Sequence, residues 1–248
     1  MDVTIIAAAQ SISVRGEIAR NIQAHSRLIE AASREGVQLI AFPELSLTGY
    51  EPDLAGDLAF SPEDDRLNPL RDLAERLGII VIAGAPVRLE TGLHIGSFVL
   101  FPDRSVSLYT KFHLGSGEET TFAPCRRDLL IPLGGESVSP AICAEISHPE
   151  HVARAAASGA TVYLASVLES DTGYARSARR MQEYAGRHSM LAMMANHGAD
   201  SGGYRTPGRS AVWSDRGQLI AALDGPGEGM VIASRDGGRW SGSAGSVA

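Results

Sequence analysis

The stretch Ser139-Pro140-Ala141-Ile142-Cys143-Ala144-Glu145 is predicted to be a short buried strand that ends on a cysteine. Polar and turn-forming residues follow at once, among them Ser147 and Pro149, as is typical of the start of a helix. A thiol at such a junction is well placed to act as a nucleophile. A free cysteine is more often a small buried hydrophobic residue, however, and this stretch alone favours that role for Cys143.

Outward from this strand, the chain alternates apolar runs with amphipathic segments. The apolar runs that predict buried strands include residues 3–9, 37–42, 79–85, 160–166 and 191–196. The segments with helical spacing are 17–35, 69–77, 150–158 and 174–190. Turn residues predict hairpins at 102–104, 134–135 and 215–217. This mixture of parallel crossovers and hairpins predicts one α/β domain over residues 1–234, followed by a flexible glycine- and serine-rich tail at 235–248.

The overall composition excludes several classes of protein. The 248-residue chain is 44% hydrophobic and 21% charged, which is ordinary for a soluble globular protein. Its net charge of −7 argues against nucleic-acid binding, which normally uses a basic face. We expect no membrane partner, because no apolar run of roughly 18 residues is present. With two cysteines and no basic leader segment, the chain is predicted to be a cytoplasmic protein with free thiols.

Several common catalytic and metal-binding motifs are missing from the sequence. It contains no glycine-rich dinucleotide or phosphate loop, no serine nucleophile elbow, no H-E-x-x-H and no C-x-x-C. His148 and His151 are three residues apart on a predicted helix, but no third ligand lies nearby in the sequence. The sequence therefore predicts no metal site, and the two histidines are interpreted as surface residues near a helix start.

Three polar residues follow apolar runs at points where a sheet gives way to a loop. They are Glu44, Lys111 and Cys143. Each has a plain structural interpretation: an acid at a helix start, a solvated hairpin flank and a buried filler. The carboxyl ends of strands are where open α/β sheets build their sites, and one shared site is a more economical explanation than three separate roles.

Three motifs resemble the signatures of the nitrilase, or carbon–nitrogen hydrolase, superfamily. The segment Phe42-Pro43-Glu44-Leu45-Ser46-Leu47-Thr48-Gly49-Tyr50 resembles the first, and Tyr109-Thr110-Lys111-Phe112-His113-Leu114 is similar to the second. Residues 141–145, followed by Pro149-Glu150, resemble the third. The separations, 111 − 44 = 67 and 143 − 111 = 32 residues, fit the family. Weaker likenesses extend the resemblance to about Ser234.

The resemblance implies a four-layer αββα sandwich of mixed sheets and a Glu-Lys-Cys site that needs no metal or organic cofactor. Cys143 would attack the substrate carbon as a thiolate. Glu44 would accept the thiol proton and later activate water. Lys111 would stabilise the charge on the tetrahedral intermediate, helped by the backbone N–H of Ala144.

The resemblance also implies a second glutamate after the lysine motif and a set of substrate contacts. Glu118 and Glu119 are the candidates for the second glutamate, and the spacing to the following Phe122 favours Glu118. The substrate contacts would come from Tyr50, Ser166 and Val167. The arginines at 176, 179 and 180 could bind a carboxylate, although a solvated helix face is the simpler interpretation.

Some residues depart from the family pattern near the proposed pocket. Cys125 stands where the family usually has glycine, so it would be strained if that position requires a positive φ. His148 replaces a common aromatic residue, and Ala144 replaces a larger one. These departures leave the three reacting groups unchanged but leave the substrate open.

The sequence therefore predicts an amidase-type thiol hydrolase that acts on a small linear amide. A nitrilase, an N-carbamoyl amide hydrolase and an ω-amidase are alternatives within the family. A catalytically silent binding protein is the alternative from another class, and it should lack a low-pKa Cys143. A redox sensor built on Cys125 and Cys143 is a third possibility. The resemblance also implies a homodimer or a larger homo-oligomer.

Overall fold

The computed structural model describes residues 3–247 of the chain. The strands, in chain order, are β1 (Thr4–Gln10), β2 (Leu39–Ala41), β3 (Ile80–Leu89), β4 (Gly92–Leu100), β5 (Val106–Thr110), β6 (Ile131–Leu133), β7 (Glu136–Ile142), β8 (Val162–Val167), β9 (Leu191–Asn196), β10 (Ala211–Trp213), β11 (Leu219–Ala222), β12 (Gly229–Asp236) and β13 (Arg239–Ser246). The α-helices are α1 (Ile18–Arg34), α2 (Ala55–Leu58), α3 (Asn68–Leu77), α4 (Pro149–Ala157) and α5 (Tyr174–His188). Short 3-10 turns span Asp65–Leu67, Glu118–Thr120 and Cys143–Ser147.

The strands form two mixed sheets. The seven-stranded sheet has the order β13-β12-β1-β2-β3-β4-β5, and the six-stranded sheet has the order β11-β10-β9-β8-β7-β6. The parallel pairs lie in the middle of each sheet, at β1–β2–β3 and at β7–β8–β9. Helical crossovers join these parallel strands, whereas tight turns join the antiparallel hairpins towards the edges.

The central strands of each sheet are buried on both faces, and this produces four layers. Ile6 and Leu39 of the first sheet pack against Leu164 of the second in one core between the sheets. A second core fills the space between the first sheet and helices α1 and α3. A third lies between the second sheet and helices α4 and α5. The predicted αββα sandwich of mixed sheets is therefore confirmed.

The amphipathic pattern of the helices determines which face each one buries. Helix α1 buries Leu28, Ile29 and Ala32 against the first sheet, with the spacing of three and four that its sequence shows. Helix α3 ends at Gly78, whose φ of 65° places it in the left-handed region that a glycine adopts without strain.

The predicted flexible tail at 235–248 is wrong for the residues that the structure describes. Arg239–Ser246 form strand β13, which pairs antiparallel with β12 along its whole length, from Asp236 opposite Arg239 to Gly229 opposite Ser246. Trp240 is buried, and the guanidinium of Arg235 lies 5.5 Å from its ring centroid. Main-chain hydrogen bonds hold a strand of small residues that shows little hydrophobic pattern. The domain predicted at 1–234 thus extends to the end of β13, while residues 1, 2 and 248 lie outside the described part.

No α-helix within residues 3–247 is both long enough and apolar enough to cross a membrane.

Candidate active site

Three strand ends bring the predicted catalytic residues together. Glu44 follows β2, Lys111 comes directly after β5, and Cys143 directly follows β7. Lys111 Nζ lies 2.7 Å from Glu44 Oε1 and 2.8 Å from Glu118 Oε1. The side chains of the lysine and of Glu44 are fully buried, and that of Glu118 is 3% exposed. A lysine and two carboxylates thus form a compact ion cluster that solvent does not reach.

The backbone around Glu44 is held in an unusual conformation. Leu45 has a φ of 51°, which is rare for a residue with a branched side chain. Gly84 permits this loop to approach β3, because a Cβ there would lie 2.5 Å from Leu45 N and 2.8 Å from Pro43 O. His197 Nε2 lies 2.7 Å from the backbone oxygen of Glu44. Burial lowers the pKa of His197 to about 4, so the ring is neutral and can donate this hydrogen bond.

The second glutamate is in place to orient the lysine. Glu118 Oε1 accepts hydrogen bonds from Lys111 and from the hydroxyl of Tyr50, which is 2.7 Å away, and Oε2 accepts one from the backbone N–H of Gly115 at 2.6 Å. Glu119 is exposed. Of the two candidates, the structure therefore brings Glu118 to the lysine.

The charge on Lys111 is retained in spite of its burial. Burial alone would lower the pKa of its ammonium, but the charges of Glu44, Cys143 and Glu118 raise that pKa above its ordinary value. Burial also raises the pKa of Glu44, and the net effect of Lys111 and Glu118 leaves it at about 7. Within residues 3–247, the buried Oε2 of Glu44 has no hydrogen-bond partner. Glu44 therefore has a free acceptor atom that can gain and lose a proton near neutral pH.

Cys143 begins the 3-10 turn with a φ of 43°, a left-handed conformation that turns its side chain away from the strand direction. Its Sγ lies 3.7 Å from the backbone oxygen of Leu168. Burial, followed by the charge of Glu44, raises the pKa of the Cys143 thiol well above its ordinary value. A low thiol pKa therefore does not separate a hydrolase from a silent protein here, because Cys143 needs a base to become a thiolate.

The predicted substrate contacts are placed differently from one another. Ala144 follows the cysteine in the turn and is half-buried. Ser166 is opposite Ile142 in the β7–β8 register and is therefore next to the end of the cysteine strand. Tyr50 reaches the lysine cluster through Glu118. Val167 packs into the core between the second sheet and helices α4 and α5, so the structure does not bring its side chain to the cluster.

The departures noted in the sequence cause no strain. Cys125 is not among the described residues with positive φ, so a cysteine fits at this position. Both cysteines are free thiols. Arg180 donates a hydrogen bond to Ser147 Oγ at 2.6 Å, whereas Arg176 and Arg179 are exposed.

Sequence reasoning assigned no role to two acids near the cysteine. Glu145 accepts hydrogen bonds from the backbone N–H groups of Phe112 and Ile142, the neighbours of the lysine and of the cysteine. Glu169, next to Leu168, accepts one from Ser177 Oγ, and burial raises its pKa. The position of Glu145 inside the motif was a usable signal, because a buried acid requires partners. Nothing local distinguished Glu169.

Comparisons with known proteins agree with this architecture. The model of the carbon–nitrogen hydrolase family matches residues 5–242. A nitrilase from Pyrococcus abyssi is 26% identical over 224 residues, which cover 88% of this chain and 84% of the nitrilase. XC1258 from Xanthomonas campestris has the same fold, with a TM-score of 0.87 at 20% identity over 96% of this chain and 92% of its own. A variant of the amidase from Nesterenkonia sp. AN1 in complex with butyramide gives 0.86 at 23% identity, over 95% of this chain and 92% of the amidase.

Proposed function

The chain belongs to the carbon–nitrogen hydrolase family, and we propose that it is an amidase-type thiol hydrolase that cleaves a small linear amide through a thioester on Cys143. The hydrolysis of a C–N bond follows from the family. The amide substrate, the roles of the residues and the acyl-enzyme are our proposal.

The observation that supports this proposal most strongly is the arrangement of the buried ion cluster. Lys111 is buried between Glu44 and Glu118, and Glu44 keeps one buried oxygen free of hydrogen bonds among the described residues. A buried charged cluster with an unsatisfied acceptor costs stability unless the acceptor is used. The free oxygen, beside a protonated thiol, supports a general base that activates the nucleophile.

The first half of the reaction forms the acyl-enzyme. Glu44 accepts the proton of the Cys143 thiol as the sulfur attacks the amide carbon. The developing oxyanion receives hydrogen bonds from Lys111 Nζ and from the backbone N–H of Ala144. Glu44 then returns the proton to the amide nitrogen, the C–N bond breaks, and ammonia leaves a thioester on the sulfur.

The second half releases the acid. Glu44 accepts a proton from a water molecule, and the water oxygen attacks the thioester carbon. The same two donors stabilise the second tetrahedral intermediate, and the sulfur leaves with the proton that Glu44 returns. The sum is the amide plus water giving a carboxylic acid plus ammonia, with Cys143 and Glu44 restored. Glu118 and Tyr50 hold Lys111 in position throughout.

Two findings bear on the substrate. One variant of the amidase from Nesterenkonia sp. AN1 forms a complex with butyramide, and in another variant the active-site cysteine carries the acetamide moiety of fluoroacetamide. These observations support a short amide. The Pyrococcus abyssi relative is a nitrilase, which keeps a nitrile as the second candidate. An N-carbamoyl compound is the remaining alternative, and its cleavage would use the same three groups.

The test is ammonia release from short amides, dicarboxylic monoamides, N-carbamoyl amino acids and nitriles. We expect turnover of the short amides by the wild type and by Cys125→Ala, the matched cysteine control, and none by Cys143→Ala. Turnover confined to nitriles or to carbamoyl compounds would replace the amide assignment. Turnover that survives Cys143→Ala would overturn the mechanism.

A silent binding protein on the same fold is the alternative from another class. Mass spectrometry after incubation with fluoroacetamide distinguishes the two. A covalent adduct on Cys143 that is absent from the Cys143→Ala protein supports the hydrolase, because a reactive nucleophile is needed to form it. An unmodified Cys143 together with no turnover of any amide would favour the silent protein.

Assembly into a homodimer or a larger homo-oligomer, and a cytoplasmic location, are part of the same proposal. The assembly rests on the family resemblance, and the location rests on the two free thiols. Sedimentation at micromolar concentration tests the assembly, and a monomer as the sole species would contradict it.

A further inference from the structure

A cluster of metal-ligand side chains lies beside the catalytic residues. One ligand atom from each of His113, His148 and Glu150 lies within 4.8 Å of the other two. His113 is two residues after Lys111, while the other two lie at the start of helix α4, five and seven residues after Cys143. We propose that these three side chains bind one divalent transition-metal ion of the zinc class.

The sequence analysis weighed His148 with His151, predicted no metal site and interpreted both as surface residues, which is wrong for His151 because its side chain is buried. His151, the partner considered for His148, has both ring nitrogens engaged, one 2.8 Å from the hydroxyl of Tyr109 and the other 2.9 Å from that of Tyr163. It therefore has no ligand atom to offer. The third ligand that appeared to be missing comes from His113, which is 35 residues earlier in the chain (148 − 113 = 35).

His113 supplies the strongest reason to expect a ligand. Its Nε2 is buried and has no hydrogen-bond partner among residues 3–247. Buried polar atoms are nearly always paired, so an orphan of this kind calls for a bound ion or water. A neutral imidazole is the form that binds metal.

His148 must turn before the site can close. Its ring stacks on His113 with centroids 3.9 Å apart and planes 15° apart. The lone pair of each ring nitrogen lies in the plane of its ring, so two rings that are stacked and nearly parallel cannot both bind one ion. The only side-chain hydrogen bond of His148 within the described chain joins its Nδ1 to Glu150 Oε1 at 3.1 Å, and both side chains are well exposed. Rotation of the His148 ring would break its hydrogen bond to Glu150 and allow each of the two side chains to bind the ion.

The donor set suits zinc. Zinc takes imidazole nitrogens and carboxylate oxygens at roughly 2.0–2.2 Å in four-coordinate sites, and water would complete this one. Glu150 supplies the carboxylate oxygen of this set. The nearby cation Arg154 lies 3.2 Å from Asp128, which offsets its repulsion of an ion. A bound ion would connect the lysine loop to the helix that follows the cysteine.

The site does not depend on the proposed amidase activity and can be tested without it. All proteins carry Cys143→Ala, so that the thiol cannot supply a zinc ligand. After removal of metal with a chelator and of the chelator itself, zinc chloride is titrated calorimetrically in a non-chelating buffer. His148→Ala and Glu150→Gln test the ligands, and His188→Ala, at the end of α5, is the matched histidine control.

We expect one zinc ion per chain in the parent and in the His188→Ala protein. His148→Ala should weaken binding at least tenfold, and Glu150→Gln should weaken it less. At the same zinc concentration, the melting temperature of the parent should rise more than that of the His148→Ala protein, because an ion that binds only the folded state stabilises it in proportion to its affinity. The absence of saturable binding by the parent, or an unchanged zinc affinity in the His148→Ala protein, would overturn the proposal.

Discussion

Two glutamates near Cys143 have nearly the same burial, at 1% exposed for Glu44 and 0% for Glu145, but opposite hydrogen-bonding states. Glu44 accepts one hydrogen bond, from Lys111, and keeps Oε2 without a partner in the described chain. Both oxygens of Glu145 are satisfied, by donors from Tyr109 Oη, Phe112 N and Ile142 N. Burial alone therefore does not distinguish the two carboxylates, whereas the unused acceptor of Glu44 does.

The partners of the two glutamates explain the difference in their use. The partner of Glu44 is a cation, and the balance of burial and charge leaves the pKa of Glu44 at about 7, where a proton can be exchanged at neutral pH. The side-chain partner of Glu145 is a phenol. Burial and the charge of Glu145 raise the pKa of Tyr109 well above its ordinary value, so the hydroxyl remains a donor. Glu145 thus fixes two loops, while Glu44 is equipped to react.

The largest effect is expected from Glu44→Gln, because a glutamine side chain cannot accept the thiol proton. A loss of general-base catalysis should lower kcat/KM for an amide by about 10²–10⁴-fold. The loss in free energy of unfolding should be far smaller than the loss of transition-state stabilisation, because Lys111 keeps its ion pair with Glu118. Ammonia release and urea denaturation measure the two effects. Wild-type turnover by this variant would show that Glu44 is not the base.

Glu145→Gln should have the opposite profile. Its amide NH₂ would face one of the two backbone N–H groups that the carboxylate accepts, so the variant should lose about 3 kcal/mol of stability. The urea midpoint measures this loss, with exposed Glu119→Gln as the control. Equal stability of the two variants would mean that the hydrogen bonds from Phe112 N and Ile142 N to Glu145 contribute nothing to the free energy of unfolding.

The pH dependence of kcat/KM should follow Glu44. The base must be ionised to accept the thiol proton, so activity rises with pH and levels off above the pKa of about 7. Below that pKa, kcat/KM should decrease by about tenfold per pH unit, since a single group titrates. Glu145→Gln should leave the midpoint unchanged. A flat profile between pH 5 and pH 8 would contradict the assigned role of Glu44.

The smallest effects should come from removing one phenol from each cluster. Tyr50→Phe removes the donor to Glu118, and Tyr109→Phe removes the donor to Glu145. We expect Tyr109→Phe to cost about 1 kcal/mol of stability, a typical value for one hydrogen bond. For Tyr50→Phe, the loss of transition-state stabilisation calculated from kcat/KM should exceed the loss in free energy of unfolding. If both variants affected only stability, the hydrogen bond between Tyr50 and Glu118 would have a structural role, like that between Tyr109 and Glu145.

Local patterns predicted much of the fold and of the site. Apolar runs and helical spacing located the central strands and the helices, because periodicity is encoded over a few residues. Glu44, Lys111 and Cys143 were found from short motifs at strand ends, and the structure places the first two in direct contact. The choice of Glu118 over Glu119 was also open to sequence reasoning, through spacing alone.

Contacts between distant residues decided the rest. Strand β13 forms because β12 offers it a hydrogen-bonding edge, which no hydrophobic pattern in residues 239–246 announces. The raised pKa of the Cys143 thiol results from burial and from a glutamate 99 residues earlier (143 − 44 = 99). The stacking of His113 on His148 joins two loops that the sequence keeps apart. The sequence by itself determined the layers and supplied the candidate reacting groups, since these depend on local periodicity and residue type. The tertiary structure alone decided which groups are charged, satisfied or free, because desolvation and pairing are properties of the packed chain.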